Sequence, residues 1–205
     1  MSQIRAEYWD SIYQSKSDSE VSWTEDYPNV GIDYLKRLNI PKDAPIIDVG
    51  GGASRFVDAA LALGYQDITI LDVSKTALER SKARLGSDAL KVKWIVSDIT
   101  VFEPEASFHF WYDRAVFHFL IDKDDIIKYI NLLEKSTSKG AQILIGTFSE
   151  NGPLKCSGLP VTRYSEESMK GVFANSFTPQ ECFKHKHLTP FKTFQEFQFC
   201  GFKKR

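Results

Sequence analysis

The chain has 205 residues, 42% hydrophobic and 26% charged, which is enough for one α/β domain with a buried core. Its formal net charge of −1 excludes strong electrostatic attraction to nucleic acid or to an anionic membrane. No stretch reaches the roughly 20 apolar residues of a membrane helix, and the first residues lack the apolar core of a signal peptide. The three cysteines, Cys156, Cys182 and Cys200, are too scattered to indicate a disulfide framework. We therefore expect a cytoplasmic protein, monomeric by default, with no nucleic-acid or membrane partner.

The first 40 residues predict helices. Four aromatic residues surround a polar run at 14–20, and Leu35 and Leu38 recur at helical spacing. This pattern indicates a short helix, a loop, and a second helix at about 30–38.

From residue 46 the pattern alternates between strands and helices. Short apolar runs predict strands at 46–49, 68–71, 92–96, 108–112 and 142–147, and helical spacing predicts helices at 54–63, 75–85 and 124–135. Such alternation predicts a parallel sheet with helices on both faces. The stretches 183–188 and 194–202 predict a hairpin, so one late strand must run antiparallel to the others.

Acidic residues follow three of the predicted strands. Asp48 precedes the glycines at 50–52, which permit a sharp turn and close approach of a ligand. Asp72 lies roughly 20 residues further on, where a carboxylate can accept both ribose hydroxyls of an adenosine. Alone, it is equally suited to cap the next helix together with Ser74. Asp98 ends the third strand, and ligands of such sheets bind at these carboxyl ends.

The residues around the glycines discriminate between two cofactor classes. A dinucleotide loop has the pattern G-x-G-x-x-G, but Arg55 stands at the last glycine position. The Asp48 carboxylate would repel a pyrophosphate, whereas it suits the positively charged methionine part of S-adenosylmethionine (SAM). The pattern favours SAM, with a nicotinamide-dependent oxidoreductase as the alternative.

Residues 46–52, 71–74 and 97–99 resemble the successive SAM-binding motifs of class I methyltransferases. The resemblance implies an α/β, Rossmann-like fold with a mostly parallel seven-stranded sheet, an antiparallel last strand and helices on both faces. Ser54 departs from the pattern, since many members have a third loop glycine there. By this resemblance Asp48, Gly50 and Gly52 hold the methionine part, and the adenosine is held by Asp72, Val73, Asp98 and Ile99.

Residues 8–13 together with Trp23 resemble the N-terminal lid of protein-lysine methyltransferases that act on translation elongation factors. That resemblance places Trp9, Tyr13 and Trp23 over the methionine end of SAM, where aromatic faces attract a sulfonium. The alternative is an aromatic helix packed on the sheet. We expect a single domain at 1–205, with a helical lid at 1–40, a SAM-binding core at 41–148, and a substrate loop and hairpin at 149–205.

The fourth strand leads into the candidate residues for chemistry. Asp113 is predicted to accept the substrate proton or bind a substrate ammonium, and His118 is the best general base by intrinsic pKa. Arg114 stands where the elongation-factor enzymes have Lys and thiopurine methyltransferase-like sequences have Arg, which suits the SAM carboxylate or an acidic substrate. The alternatives are an Asp113–Arg114 ion pair and a core histidine.

Two further groups carry weaker signals. Cys156, in the polar loop after the fifth strand, suits a soft substrate but is more often an ordinary loop cysteine. Cys182, His185 and His187 lack a nearby fourth ligand, so no metal is predicted. We expect methyl transfer from SAM to a small-molecule or protein-lysine acceptor, with a non-catalytic SAM-binding or partner-binding module as a further alternative.

Overall fold

The computed structural model describes residues 2–205, and these form two compact units. The first comprises residues up to 102 together with 189–191, and the second comprises 103–188 together with 192–205. The predicted division at residues 40 and 148 stays a prediction.

The first unit holds four helices and three strands. Its helices are α1 (Ser2–Ser15), α2 (Asn29–Arg37), α3 (Phe56–Ala62) and α4 (Lys75–Leu85), and its strands are β1 (Ile46–Val49), β2 (Ile68–Asp72) and β3 (Val92–Val96). The strands are parallel, with β2 paired to both β1 and β3. Every residue of β1 and β2 is buried, which is why both strands consist mostly of apolar, β-branched residues.

The second unit contains the remaining elements. These are β4 (Phe108–Arg114), α5 (Lys123–Ser136), β5 (Thr137–Phe148), β6 (Lys155–Cys156), β7 (Leu159–Pro160), α6 (Glu166–Phe173), β8 (Phe177–Leu188) and β9 (Phe194–Lys204). A 3-10 helix at Phe117–Phe119 follows β4. Strands β4 and β5 are parallel, and β9 runs antiparallel to both β5 and β8.

The seven long strands have the sheet order β3-β2-β1-β4-β5-β9-β8. The β1–β2, β2–β3 and β4–β5 pairs are parallel and β9 is antiparallel to β5 and β8, so the predicted mostly parallel sheet with an antiparallel last strand is confirmed. The predicted strands agree in position with the structure, although β2, β4, β5, β8 and β9 extend beyond their predicted bounds.

The sequence reading missed two features of the second unit. Helix α6 begins after Ser165, whose hydroxyl accepts from the Ser168 amide in a capping box. The β6–β7 hairpin turns at Ser157 and Gly158, with φ of 48° and 79°. Positive φ at both positions is typical of a two-residue hairpin turn, but Ser-Gly in a polar loop is a weak signal for one.

The pairing of β8 with β9 also joins two cysteines. Cys182 and Cys200 stand directly opposite each other, with their Cα atoms 4.2 Å apart, and form a disulfide. The expectation drawn from the scattered cysteine spacing is wrong for this pair, because antiparallel register brings together residues 18 apart in the chain. Over residues 2–205, no helix is long and apolar enough to cross a membrane.

Candidate functional site

The glycine loop follows β1 and is shaped by two carboxylates. A β-carbon on Gly51 would stand 2.6 Å from Asp48 Oδ2, and one on Gly52 would stand 2.8 Å from Asp72 Oδ2. Gly50 and Gly52 also have positive φ, at 70° and 37°. Any side chain here collides with a carboxylate, so the loop is restricted to glycine. Gly51 was not singled out from the sequence.

Asp72 ends β2 with a buried side chain. Its Oδ1 accepts from the Ser74 amide at 2.7 Å, and the Ser74 hydroxyl accepts from the Ala77 amide at 3.1 Å to cap α4. Burial raises the pKa of Asp72 to about 7, with amide hydrogen bonds opposing that rise. The local capping arrangement is therefore present, and Oδ2 faces Gly52. Val73, the predicted adenine contact, follows as a half-buried residue.

Asp98 follows β3 and is buried beside Ile99. Arg5 of α1 forms an ion pair with it at 3.1 Å, and the Thr100 amide and hydroxyl donate to its Oδ1 at 2.9 and 2.8 Å. The predicted adenine acceptor is thus already bound by an arginine that the sequence reading did not single out.

The predicted lid aromatics come together in the first unit. The Trp23 ring lies 5.8 Å from the Trp9 ring and 6.1 Å from the Tyr13 ring, between centroids. Tyr13 is buried, and a β-carbon on Gly52 would stand 3.1 Å from its hydroxyl oxygen. Burial and the nearby Asp72 raise the pKa of Tyr13 well above its usual range, so the phenol stays neutral. The aromatic group therefore packs against the glycine loop.

Two residues that the sequence reading missed anchor α1 to α4. Asp10 Oδ1 accepts from the Ser74 hydroxyl at 2.6 Å and from the Thr76 amide at 2.9 Å. Arg80 donates to the carbonyl oxygens of Tyr13 and Lys16. These bonds join residues more than 60 positions apart, so no local sequence pattern reveals them.

A second arginine of α4 holds the far end of the glycine loop. Arg84 donates to the carbonyl oxygens of Ala53 and Ser54 at 3.0 and 2.7 Å, and it forms an ion pair with Asp58 at 2.8 Å. The Ser81 hydroxyl donates to the Gly52 carbonyl at 2.7 Å. The loop that precedes α3 is therefore fixed from α4 along its length.

Asp113, in the second unit, is fully buried with both oxygens engaged. Its Oδ1 accepts from the amides of Val116 and Phe117 at 2.9 and 3.3 Å, and its Oδ2 accepts from the Tyr129 hydroxyl at 2.6 Å. Burial raises the pKa of Asp113 to about 6. This arrangement favours a role in holding the turn after β4, and the catalytic role stays a prediction.

His118 is fully buried in the 3-10 helix after β4. The Phe148 amide donates to its Nδ1 at 3.2 Å, and its ring lies 4.7 Å from the Phe148 ring. Burial, assisted by the positive charge of Arg114, lowers the pKa of His118 to about 3. A histidine with this pKa is neutral at physiological pH and a weak proton acceptor, so burial removes the advantage that its intrinsic pKa suggested.

Arg114 ends β4 and lies over an aromatic ring, with its guanidinium carbon 4.9 Å from the centre of Phe197. Its charge acts on Cys156 as well, although burial dominates there and raises the thiol pKa to about 11. Cys156 is therefore a buried neutral thiol.

His185 and Cys182 do not form a metal site with His187, and no group of three or more metal-binding side chains occurs in the described part of the chain.

Comparison with known proteins agrees with this arrangement. Residues 46–140 match the family described as Methyltransferase domain. Human EEF1A lysine methyltransferase 2 is 26% identical over 144 residues, which cover 65% of this chain and 61% of that protein. Mouse eEF1A lysine and N-terminal methyltransferase is 26% identical over 123 residues, covering 59% and 17%. The chain thus spans less than two thirds of these curated relatives.

A solved structure extends the similarity to the whole fold. A SAM-dependent methyltransferase from Anabaena variabilis superposes with a TM-score of 0.77 at 15% identity, covering 100% of this chain and 95% of that one. The nicotinamide alternative is not favoured, because the motifs, the sheet order and the family match agree on another class. Residues 46–140 thus match a methyltransferase-domain family, and the chain has the Rossmann-like fold of a solved SAM-dependent methyltransferase.

Proposed function

We propose that this protein transfers a methyl group from SAM to a small-molecule or protein-lysine acceptor. The observation that carries the proposal is the meeting of three predicted motifs in the first unit. The Gly52 backbone lies between Asp72 Oδ2 and the Tyr13 hydroxyl, each about 3 Å from where a β-carbon would stand. The Asp72 carboxylate and the aromatic ring of Tyr13 beside this loop both attract positive charge, which suits a cationic cofactor.

The residues of the first unit fit SAM by charge and shape. Asp48, Asp72 and Asp98 are buried carboxylates at or just beyond the carboxyl ends of β1, β2 and β3, and they favour a ligand with positive charge and no phosphate. Arg5 forms an ion pair with Asp98, so we propose that Asp98 binds the adenine amino group with the acceptor capacity that Arg5 leaves.

We propose the following roles for the remaining residues. The methionine part of SAM is held by Asp48, Gly50, Gly52, Trp9, Tyr13 and Trp23, and the adenosine by Asp72, Val73, Asp98 and Ile99. The role of Arg114 stays a prediction. When bound, SAM supplies a methyl group activated by its sulfonium. The chain must then exclude water and orient the acceptor in line with that methyl group. Asp113 is proposed to position the turn after β4, and His118 to contact the acceptor.

The acceptor class has two candidates. The human relative is named a lysine methyltransferase of eEF1A, and the clustered lid aromatics support the same kind of acceptor for this chain. The second candidate is a small molecule.

A thermal-shift screen tests the cofactor. SAM and S-adenosylhomocysteine (SAH) are expected to raise the melting temperature, while NAD and NADP leave it unchanged. Stabilisation by NADP and not by SAM contradicts the proposal. Labelled SAM incubated with fractionated cell extract then tests the reaction, since label in a protein band or in a small molecule identifies the acceptor class. Absence of any label supports a non-catalytic SAM-binding module instead.

We also propose that the protein works in the cytoplasm as a monomer. Edge strand β8 carries the exposed residues Lys184 and Lys186, and charged edges oppose pairing with another sheet. Light scattering after size exclusion is expected to give the 23.3 kDa of a single chain. Fractionation of cells tests the location, and recovery from an oxidising compartment contradicts it.

A further inference from the structure

The Cys182–Cys200 disulfide borders a surface cleft of about 470 Å³ in the second unit. The walls of the cleft are Glu150, residues 165–167 at the start of α6, residues 182–184 of β8, and Gln198 of β9. Cys182 stands opposite Cys200, and Lys184 stands opposite Gln198. Because residues opposite each other project from the same face of a sheet, the cleft covers the face that carries the disulfide. A small molecule in the cleft therefore has access to this bond.

The two cysteines of the disulfide differ in exposure. Cys182 is half-buried and lines the cleft, whereas Cys200 is 0% exposed. In thiol–disulfide exchange a thiolate attacks one sulfur of the bridge, and the other sulfur leaves as a thiolate. Access decides which sulfur is attacked. The attacked atom is therefore Cys182 Sγ, and Cys200 Sγ is the leaving group.

A hydrogen-bond donor lies beside the leaving sulfur. The buried Gln198 side chain donates from Nε2 to Cys200 Sγ at 3.9 Å, and also to the carbonyl oxygens of Phe183 and Phe199 at 3.2 and 3.1 Å. A thiolate is a stronger acceptor than a disulfide sulfur, so this bond strengthens as negative charge develops on Cys200. The Gln198 amide therefore offsets part of the cost of forming a thiolate at a buried position.

The charges around the cleft favour a positively charged visitor. Three exposed glutamates stand on its walls, Glu150, Glu166 and Glu167. The lining lysine, Lys184, is paired with Glu196 at 3.4 Å, and Glu166 is paired with Lys170 of α6. Arg163 adds a positive charge nearby, where it donates to the Glu150 backbone carbonyl. Carboxylates outnumber cations in this set, so a cation gains from entering the cleft and an anion loses.

We propose that Cys182 is a modification site that exchanges reversibly with small thiols carrying a positive charge. The thiolate forms a bond to Cys182 Sγ, and the Cys182–Cys200 bond breaks with its electron pair going to Cys200 Sγ, which takes up a proton. A second thiolate attacks the thiol-derived sulfur of this mixed disulfide and releases Cys182. The two thiols leave joined as a disulfide, so they are oxidised and the protein is reduced. The exchange goes beyond the proposed methyltransferase function and does not depend on it.

Two matched variants test which sulfur reacts. C200S keeps Cys182 as a free thiol, C182S keeps Cys200, and both lack the bridge. Cystamine, the disulfide of cysteamine, is the probe, and peptide mass spectrometry locates the mixed disulfide. Cys182 in C200S is expected to react at least about tenfold faster than Cys200 in C182S. Equal rates, or faster reaction of Cys200, overturn the proposal.

The oxidised full chain tests the exchange without any substitution. Apart from the thiol itself, cysteamine is a cation and 2-mercaptoethanesulfonate is an anion, and each rate is corrected for the ionised fraction of the thiol. Cysteamine is expected to open the bridge at least about threefold faster at low salt, with the difference lost near about 1 M salt. A bridge that opens only under denaturing conditions, or equal rates for the two thiols at low salt, contradicts the proposal.

Charge variants test whether the thiol enters through this cleft. E150Q/E167Q removes two of the lining carboxylates and should reduce the preference for cysteamine. Glu105, exposed in the same unit and outside the lining, supplies the control E105Q, which should keep that preference. A full preference in E150Q/E167Q, or its loss in E105Q, refutes entry through the cleft. None of these measurements requires SAM, so their failure leaves the proposed function unaffected.

Discussion

Tyr13 and Gly52 lie against each other, so that a β-carbon on Gly52 would stand 3.1 Å from the Tyr13 hydroxyl oxygen. Gly52 also has a φ of 37°, which disfavours a side chain. We expect G52A to lose about 1–3 kcal/mol of unfolding free energy from strain and to bind SAM more weakly, because Asp72 must move. Denaturant unfolding and SAM titration measure the two effects.

Two other glycines separate the causes of that loss. Gly64 has a φ of 86° with no atom within 4 Å of a β-carbon, so G64A keeps the strain without the collision. Gly171 lies in helix α6 with open space, so G171A should stabilise by about 0.5–1 kcal/mol. If G52A binds SAM as G64A does, the glycine loop is not part of the cofactor site.

The raised pKa of Asp72 predicts a pH-dependent affinity for SAM. Only the ionised carboxylate accepts both ribose hydroxyls, and burial raises its pKa to about 7 in the free protein. The affinity is expected to rise by up to about tenfold per pH unit as the pH approaches 7 from below, and then to level off. Calorimetry from pH 5.5 to 8.5 measures it, in conditions where the enzyme stays folded.

The variant D72N supplies the comparison. It keeps one acceptor oxygen, cannot ionise, and should bind SAM weakly with a flat pH profile. The folded protein holds the Asp72 proton between the ordinary pKa of 3.8 and about 7, so the contribution of Asp72 to stability falls as the pH rises through that window. An unchanged pH profile in D72N would show that Asp72 does not bind the ribose.

Asp113 and Tyr129 test whether a buried carboxylate acts structurally or in catalysis. Tyr129 donates to Asp113 Oδ2 at 2.6 Å, so Y129F and D113N should each lose about 1–3 kcal/mol of unfolding free energy. If Asp113 only positions the turn after β4, the folded D113N enzyme keeps its rate of methyl transfer within about tenfold. A catalytic role predicts a loss of about 100-fold or more in kcat. Stopped assays with labelled SAM and the acceptor-containing extract fraction distinguish the two.

The disulfide between Cys182 and Cys200 predicts a redox-dependent stability. The bridge closes a segment of 18 residues, and reduction is expected to cost up to about 3 kcal/mol of unfolding free energy. Melting with and without reductant measures this, and the double variant C182S/C200S should not respond. Alkylation during cell lysis, followed by mass spectrometry, reports whether the bridge forms in the cell. A bridge formed in most molecules argues against the proposed cytoplasmic location.

The sequence predicted the sheet well because its central strands carry strong local signals. Strands β1 and β2 are buried on both faces, consist mostly of apolar, β-branched residues, and each contains an acid at or near its carboxyl end. Helix α4 was equally clear, since Ser74 caps it and Gly86 ends it with a φ of 58°. In these elements local propensity and burial favour the same secondary structure, so they can be predicted from a single sequence.

The side-chain contacts of the site were less predictable because they join distant parts of the chain. The Arg5–Asp98 pair spans 93 positions, and neither residue type indicates its partner. The environment of His118 was unpredictable for a different reason. Its intrinsic pKa suggested a base, but burial lowers that pKa to about 3. Burial of a single polar residue between aromatics is decided by tertiary packing, which the flanking sequence does not report.

The hydrogen bonds of Asp10 connect α1, which carries part of the predicted lid, to the N-terminal end of α4. One carboxylate oxygen of α1 binds both the Ser74 hydroxyl and the Thr76 amide at the first turn of α4. Swinging α1 away would therefore expose the Thr76 amide to solvent. The rate of amide hydrogen exchange at Thr76 would then report how often the predicted lid opens. This measurement needs no ligand, no label on the aromatic residues and no known substrate.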